Sequence, residues 1–362
     1  MSSTTFASLP IEVAYPIFAF ACAPDRDSLS RPVGPTLNLV SKAFREICLT
    51  TGPDLEHVAI RGAHRMKAFL EMLLSRTLYA KRVRSLFLAG EILFDTGEFS
   101  RLILQCQVSP TKNDPYTAPL HIENVLLAID LFYLRVLFIS VPMRPNMTIP
   151  YIQLPENLPA LTDLFLSGIA VVPAHPHISC TPKLQNMQIL NFTDSYPVEN
   201  SPATEVAYLA PSLKRLKLSI LPSGFLATQL IPALQDIVGD PIVGSVYDEA
   251  RPVHSESCLR TPPQLILAFI PLYISSNPLI SRLTAGSALD PVMTYRTGVE
   301  RFQGFRPIPD NVRSVRTTDP VVMLPVPAVR DVKMIVEDDK VRGEAFWRDW
   351  LACVAGREVM WT

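Results

Sequence analysis

Apolar residues along this chain follow two patterns. In the first fifty residues they fall at helical spacing. Leu9-Pro10 opens a segment in which proline sits at the first helical position, where its missing N–H costs nothing. Ile11, Val13, Ile17, Phe18 and Phe20 form its apolar set, and Pro16 inside it predicts a kink or an early end. The polar stretch Pro24 to Thr36, with three prolines and one glycine, reads as a loop. A second helix is predicted over 37–49, where Leu37, Val40, Phe44, Ile47 and Cys48 recur at helical spacing.

Beyond this point the period shortens to that of a strand. The pattern L-x-x-L-x-L occurs as Val83-Arg-Ser-Leu86-Phe-Leu88, Leu134-Arg-Val-Leu137-Phe-Ile139 and Leu161-Thr-Asp-Leu164-Phe-Leu166. It recurs as Leu184-Gln-Asn-Met187-Gln-Ile189 and Leu213-Lys-Arg-Leu216-Lys-Leu218. Successive units start 51, 27, 23 and 29 residues apart, the first gap being about twice the others. That phase is the one leucine-rich repeats keep. Pro159, Pro182 and Pro211 precede three of the units, and small residues (Ala89, Ser140, Ser167, Ser219) follow four. The expectation is an α/β solenoid, in which each strand buries its leucines only by stacking on its neighbours.

From 224 to 315 the apolar runs are scattered, prolines are frequent and no period stands out. Pro320 to Pro327 reads as a strand bounded by prolines, and Val332 to Val336 as another. Asp338 and Asp339 are expected to cap a final helix over 341–355, with Gly356 at its stop. Ala345, Phe346, Trp347, Trp350, Leu351, Val354 and Ala355 would be its apolar face, with Arg348 and Asp349 outside, suited to covering the open end of a solenoid. The chain thus divides into a helical domain (1–55), a repeat region (56–223), a proline-rich continuation (224–319) and a strand with a capping helix (320–362).

Composition narrows the function classes. The 362 residues carry 33 Lys+Arg against 34 Asp+Glu, a net charge of -1, which argues against a nucleic-acid coat or a lipid-surface binder. The most apolar window, Leu265 to Ile274, is broken by Pro271 and too short for a membrane span. Met1 to Thr5 leads into a segment containing Glu12, not into an apolar leader, so no secretion signal is read. The six cysteines (Cys22, Cys48, Cys106, Cys180, Cys258, Cys353) lie far apart and form no C-x-x-C motif. The expectation is reduced thiols in a cytoplasmic or nuclear protein, with the sequons at Asn146 and Asn191 incidental.

Signatures of catalysis are absent from the sequence: no G-x-G-x-x-G, no Walker loop, no G-x-S-x-G elbow and no H-E-x-x-H. His175-Pro-His177 with Cys180 nearby is one cluster of metal-ligand type. Three surrounding prolines and the lack of a fourth ligand favour surface histidines, and no cofactor or metal is expected.

The two helical segments carry a resemblance. Leu9, Pro10, Glu12, Val13, Ile17 and Phe18, followed by Val40, Ser41, Lys42, Phe44 and Arg45, match the F-box pattern position by position. The gap between the halves is longer than in that family by about one loop, at Pro24 to Thr36. With repeats of leucine-rich type downstream and a Trp-containing tail, the chain resembles F-box proteins numerous in mushroom-forming fungi. The resemblance implies a helical F-box before the solenoid, and a non-catalytic substrate receptor of a Skp–cullin–RING ubiquitin ligase. Leu9, Pro10, Ile17, Phe18, Val40 and Phe44 would then face the Skp-type adaptor, and through it a cullin. The repeats would hold an unknown protein substrate. One alternative is an interaction scaffold whose F-box no longer binds the adaptor, and another is a hydrolase or metalloenzyme on an irregular α/β fold.

In leucine-rich repeats the residue between the last two leucines faces the concave side. Here those positions are Phe87, Phe138, Phe165, Gln188 and Lys217, opposite the buried leucines because strand side chains alternate. The stripe reads either as a groove for a segment of the substrate or as a surface under the chain's own tail. A second feature is the run from Arg61 to Arg84, which holds seven Lys+Arg against Glu71 alone. It reads as a docking patch for an acidic partner or, more commonly for such runs, as a solvated helix face.

Overall fold

A computed structural model describes residues 10–22, 40–90, 117–141, 149–173, 181–192, 206, 209–238, 262–276, 290–305, 321–357, 359 and 361. The chain is mixed α/β with a mostly parallel sheet. Its described helices are α1 (Ile11–Cys22), α2 (Lys42–Thr51), α3 (Ala63–Leu74), α4 (Thr117–Ala128), α5 (Gly224–Val238), α6 (Pro291–Phe305) and α7 (Ile335–Val354). Its described strands are β1 (His57–Arg61), β2 (Ser85–Ala89), β3 (Val136–Ser140), β4 (Tyr151–Gln153), β5 (Asp163–Ser167) and β6 (Ala170–Val172). They continue with β7 (Asn186–Phe192), β8 (Arg215–Ile220), β9 (Gln264–Phe269), β10 (Tyr273–Ile274), β11 (Val321–Met323) and β12 (Arg330–Asp331). Among the described residues no helix is long and apolar enough to cross a membrane.

Two compact units divide the chain. The first comprises Met1–Leu161, Ser167–Ala174 and Leu351–Arg357; the second comprises Thr162–Leu166, His175–Trp350 and Glu358–Thr362.

In the first unit, β1, β2 and β3 pair in parallel in that order. The register sets Leu86 beside Leu137, Phe87 beside Phe138 and Leu88 beside Ile139. Parallel strands need a crossover, and α3 lies between β1 and β2 in sequence as α4 lies between β2 and β3. The two crossover helices pack on each other. The central residues of β2 and β3 are buried without alternation, which means that both faces of these strands are covered.

The helical pair α1 and α2 belongs to the same unit. Pro16 was expected to kink the first helix or end it early; α1 does not end there but runs on to Cys22. Pro16 is the sixth of the twelve residues of α1 and is exposed, so its ring meets solvent while one hydrogen bond to the preceding turn is forfeited. Of the second predicted helix, the part from Lys42 is α2. Ser41 caps it by accepting from the Phe44 N–H at 3.2 Å, and residues 37–39 lie outside the described set, as does the loop 24–36. Gly52 ends α2 with φ +70°, its backbone against the Ala80 carbonyl where a Cβ has no room.

In the second unit the strand order is β5, β7, β8, β9, β11. The β7–β8, β8–β9 and β9–β11 pairs are parallel. Leu216 sits beside Met187 on one side and Leu265 on the other, and Leu218 sits between Ile189 and Leu267. All five L-x-x-L-x-L units of the chain form strands that begin at the third residue of the motif. The region from 224, which carried no legible period, contains α5, β9 and α6. There α6 packs against α5, with the Arg301 guanidinium donating to the Gly224 carbonyl at 2.9 Å.

Near the C-terminus two expectations are corrected. Val332 to Val336 is not a strand: Val332–Met334 is a 3-10 turn that runs into α7, preceded by the short β12. Asp338 and Asp339 do not cap the last helix, because it already begins at Ile335. Asp331 is the capping residue, accepting from the Lys333 N–H at 3.0 Å. Asp338 instead accepts from the Tyr273 hydroxyl and from Arg330, each at 2.6 Å. Gly356 follows the helix with φ +67°, at the stop position expected for it.

Candidate functional site

The F-box-like residues divide between inside and outside. Phe18 is 2% exposed, and its ring meets Phe44 edge-on at 4.8 Å between centroids. With Ala14, Cys22 and Cys48 these rings form the buried seam of α1 and α2. Burial pushes the Cys22 and Cys48 thiols up to about 11 and about 12, with the nearby Asp54 carboxylate adding to the effect, so both stay protonated. On the outside, Pro10 is exposed, Ile17 is 42% exposed and Val40 is 60% exposed. Val13 and Phe20 on α1 are exposed as well. Leu9 lies outside the described residues.

The candidate substrate stripe is not an open groove. Phe87, Phe138, Phe165 and Gln188 are buried, and Lys217 is half-buried. In the first unit, Phe87 and Phe138 stack at 6.2 Å, and the Arg61 guanidinium lies 5.7 Å from the Phe87 ring. In the second unit, the Trp361 ring lies 5.8 Å from Phe165, and Arg215 lies 5.9 Å from Trp361. Asp349 of α7 is close enough to Lys217 for their charges to interact. Burial nevertheless pushes the Asp349 carboxyl up to about 6, against the pull of Lys217 and Arg348, and lowers Lys217. Of the two readings of the stripe, cover by the chain's own tail is the one found in the second unit.

The basic run Arg61 to Arg84 separates by environment. Arg76 is buried and donates to both oxygens of Asp54, at 2.8 and 2.6 Å, and to the Cys48 carbonyl at 3.0 Å. Arg82 lies over the rings of Tyr79 and Tyr133, at 5.1 and 4.5 Å. Arg84 faces Glu56 at 3.5 Å near the surface. Arg61, His64, Arg65 and Lys67 are exposed at the end of β1 and the start of α3.

Sequence reasoning missed the Asp54–Arg76 pair. Its two members are 22 residues apart, and nothing in the local pattern distinguishes Arg76 from its exposed neighbours. His57, also unremarked, has its imidazole pushed well below its ordinary value by burial, so it is neutral at pH 7. His175, His177 and Cys180 lie outside the described residues, and among the described residues no group of three or more His, Cys, Asp or Glu is placed to hold a metal ion. No protein-family model and no curated protein matches the chain.

Proposed function

We propose that this chain is a non-catalytic substrate-recognition subunit of a Skp–cullin–RING ubiquitin ligase, acting in the cytoplasm or nucleus. The carrying observation is the division of labour in the α1–α2 pair. Phe18 and Phe44 of the F-box-like motif pack against each other, while Pro10, Ile17 and Val40 of the same motif present apolar surface to solvent. Aliphatic side chains held outward by a packed pair suit a partner that covers them, here the Skp-type adaptor.

The repeat reading draws support from the strands. The apolar residues at the leucine positions of successive motifs stand side by side in parallel register within each unit, as stacked repeats require. In this reading the F-box fixes the chain on the adaptor, and the repeat region holds the protein to be ubiquitylated. The chain supplies no bond-making group. It raises the local concentration of a substrate lysine near the charged enzyme. Phe87, Phe138 and Phe165 are buried, so in this reading the substrate is held by residues other than these three rings.

Capture of a purified Skp-type adaptor by the full chain tests the proposal. Deleting residues 1–50 would be a poor control, since it removes the Cys48 carbonyl to which Arg76 donates. The double variant Ile17→Glu with Val40→Glu changes exposed positions only and should keep the circular dichroism of the parent. Adaptor held by the parent and lost by the variant is the expected result. Retention by the variant, or no capture by the parent, removes the ligase role and leaves the scaffold reading.

A further inference from the structure

One arginine of the first unit is fixed in place by rings, with no acid to hold it. Arg82 follows the 3-10 turn Leu78–Lys81, just before β2. Residues 130–133 take the equivalent place before β3. The Asp130 N–H donates to the Lys81 carbonyl at 3.0 Å, which brings the two connections side by side. The Arg82 guanidinium lies over a ring from each, 5.1 Å from Tyr79 and 4.5 Å from Tyr133. Tyr15 of α1 is close enough to Arg82 and Tyr133 to feel their charges. Three tyrosines are thus gathered about one cation.

The donors of this guanidinium are left over. Its Nε is buried and has no hydrogen-bond partner. Among the described residues no hydrogen bond or ion pair engages its two Nη groups, which are not enclosed. Arg76 and Arg84 of the same run each face a carboxylate. A stacked guanidinium gives up rotamer freedom and part of its hydration on folding, and no acceptor in the described fold replaces the water. A side chain already fixed in this way loses little more entropy when it binds. The surface around it is apolar. Leu78, Tyr79 and Phe132 are each about two-thirds exposed, and Tyr133 is exposed as well. Exposed aromatic rings around an arginine are the composition of an interface centre.

We propose that Arg82, with Tyr79, Tyr133, Phe132 and Leu78, forms a docking site for a short segment of a protein partner in which one Asp or Glu is flanked by apolar residues. Charge and shape choose this occupant. A carboxylate presents two oxygens in a plane, which matches the paired Nη donors of a guanidinium whose plane the rings fix. One cation suits one negative charge. Glu56 is also within electrostatic range of Tyr15, so a doubly charged phosphate is the poorer match. Leu78 and the exposed rings cover the flanking apolar residues. A nucleic-acid strand would need a track of cations along its phosphates. Ile17 and Val40, the surface of the ligase reading, take no part in this site.

The probe is acetyl-Leu-Glu-Phe-amide, titrated into the full chain by calorimetry, with the Arg82 Nε–H signal followed by nuclear magnetic resonance. Arg82→Lys keeps the charge and removes the fork, and also assigns the signal by its loss. Phe132→Ser alters an exposed ring only, and Arg65→Gln, exposed on α3, is the control. The peptide should bind and shift the Arg82 signal. Its glutamine analogue should bind about tenfold or more weakly. Arg82→Lys and Phe132→Ser should each weaken binding, and Arg65→Gln should leave it unchanged. The comparison of the two peptides uses the parent chain, so it decides the matter even where Arg82→Lys fails to fold. No binding by the parent, equal binding of the two peptides, or an unmoved Arg82 signal overturns the proposal. So does full-strength binding by folded Arg82→Lys or Phe132→Ser, or equal weakening in Arg65→Gln. Tighter binding of the phosphoserine analogue or of a hexathymidine oligonucleotide overturns it too.

Discussion

The Arg76 guanidinium grips both carboxylate oxygens of Asp54, and the two side chains are only 2% and 4% exposed. Through this pair and the bond to the Cys48 carbonyl, the end of α3 is tied to the turn at Pro53–Leu55 and to α2. Removing one partner strands a buried charge and is expected to cost about 3–5 kcal/mol. Asp54→Ala and Arg76→Met should each show that loss in urea denaturation. The double variant Asp54→Ala with Arg76→Met should lose less than the sum of the two. Single variants within about 1 kcal/mol of the parent would contradict the burial of the pair.

Phe138 and Phe165 behave as core residues in this structure. Phe138→Ala and Phe165→Ala should each destabilise by about 3–5 kcal/mol. Trp361→Ala, at a partly exposed position, should cost less. A stripe open to a substrate would predict almost no change in stability, so the thermal midpoint separates the two cases.

Two glycines of α6 make opposite predictions. A Cβ at Gly298 would lie 2.8 Å from backbone atoms of Pro222 and Ser223, so Gly298→Ala should cost about 1–3 kcal/mol. Nothing lies within 4 Å of a Cβ at Gly304, so Gly304→Ala should be neutral or stabilise by up to about 1 kcal/mol. Denaturation midpoints of equal sign for the two would show that the close approach of α6 to Pro222–Ser223 is wrong.

Asp349 gives stability a pH signature. Burial raises its carboxyl from 3.8 to about 6, so the folded chain holds this proton more tightly than the unfolded chain. Its contribution is therefore greatest below pH 3.8, falls as pH rises towards about 6, and is level above that. Asp349→Asn removes the effect. The melting temperature of the variant should gain on the parent as pH rises from 4 to 6.5. A gain in the opposite direction would mean that attraction to Lys217 outweighs burial.

Much of the strand architecture was legible. The five leucine motifs all form strands because apolar residues at every second position are a local strand signal, which holds whether or not the residues between them are also buried. Two further strands follow the same spacing in altered letters. Leu55-Glu-His-Val58-Ala-Ile60 begins 28 residues before Val83 and ends in β1, with Val and Ile in place of leucine. In β9, Pro262 stands where the first leucine belongs, while Leu265 and Leu267 keep register with Leu216 and Leu218. Helix α5 was also written in the chain as Leu226, Leu230, Leu234 and Ile237, but Pro232 hid it. The expected strand at Val332 to Val336 failed because a short apolar run has no period long enough to exclude a helix start.

The sequence by itself determined which residues alternate, where the short strands begin and which two segments carry the F-box-like pattern. Tertiary structure decided which faces meet water. Phe138 and Ile17 are both apolar and both fit their local period, yet one is enclosed and the other exposed. Arg76 and Arg65 stand in the same basic run, yet only Arg76 found an acid from a distant turn. A local pattern records the spacing of side chains along an element. Which side is covered depends on other elements arriving from far along the chain, and no spacing within the element encodes their arrival.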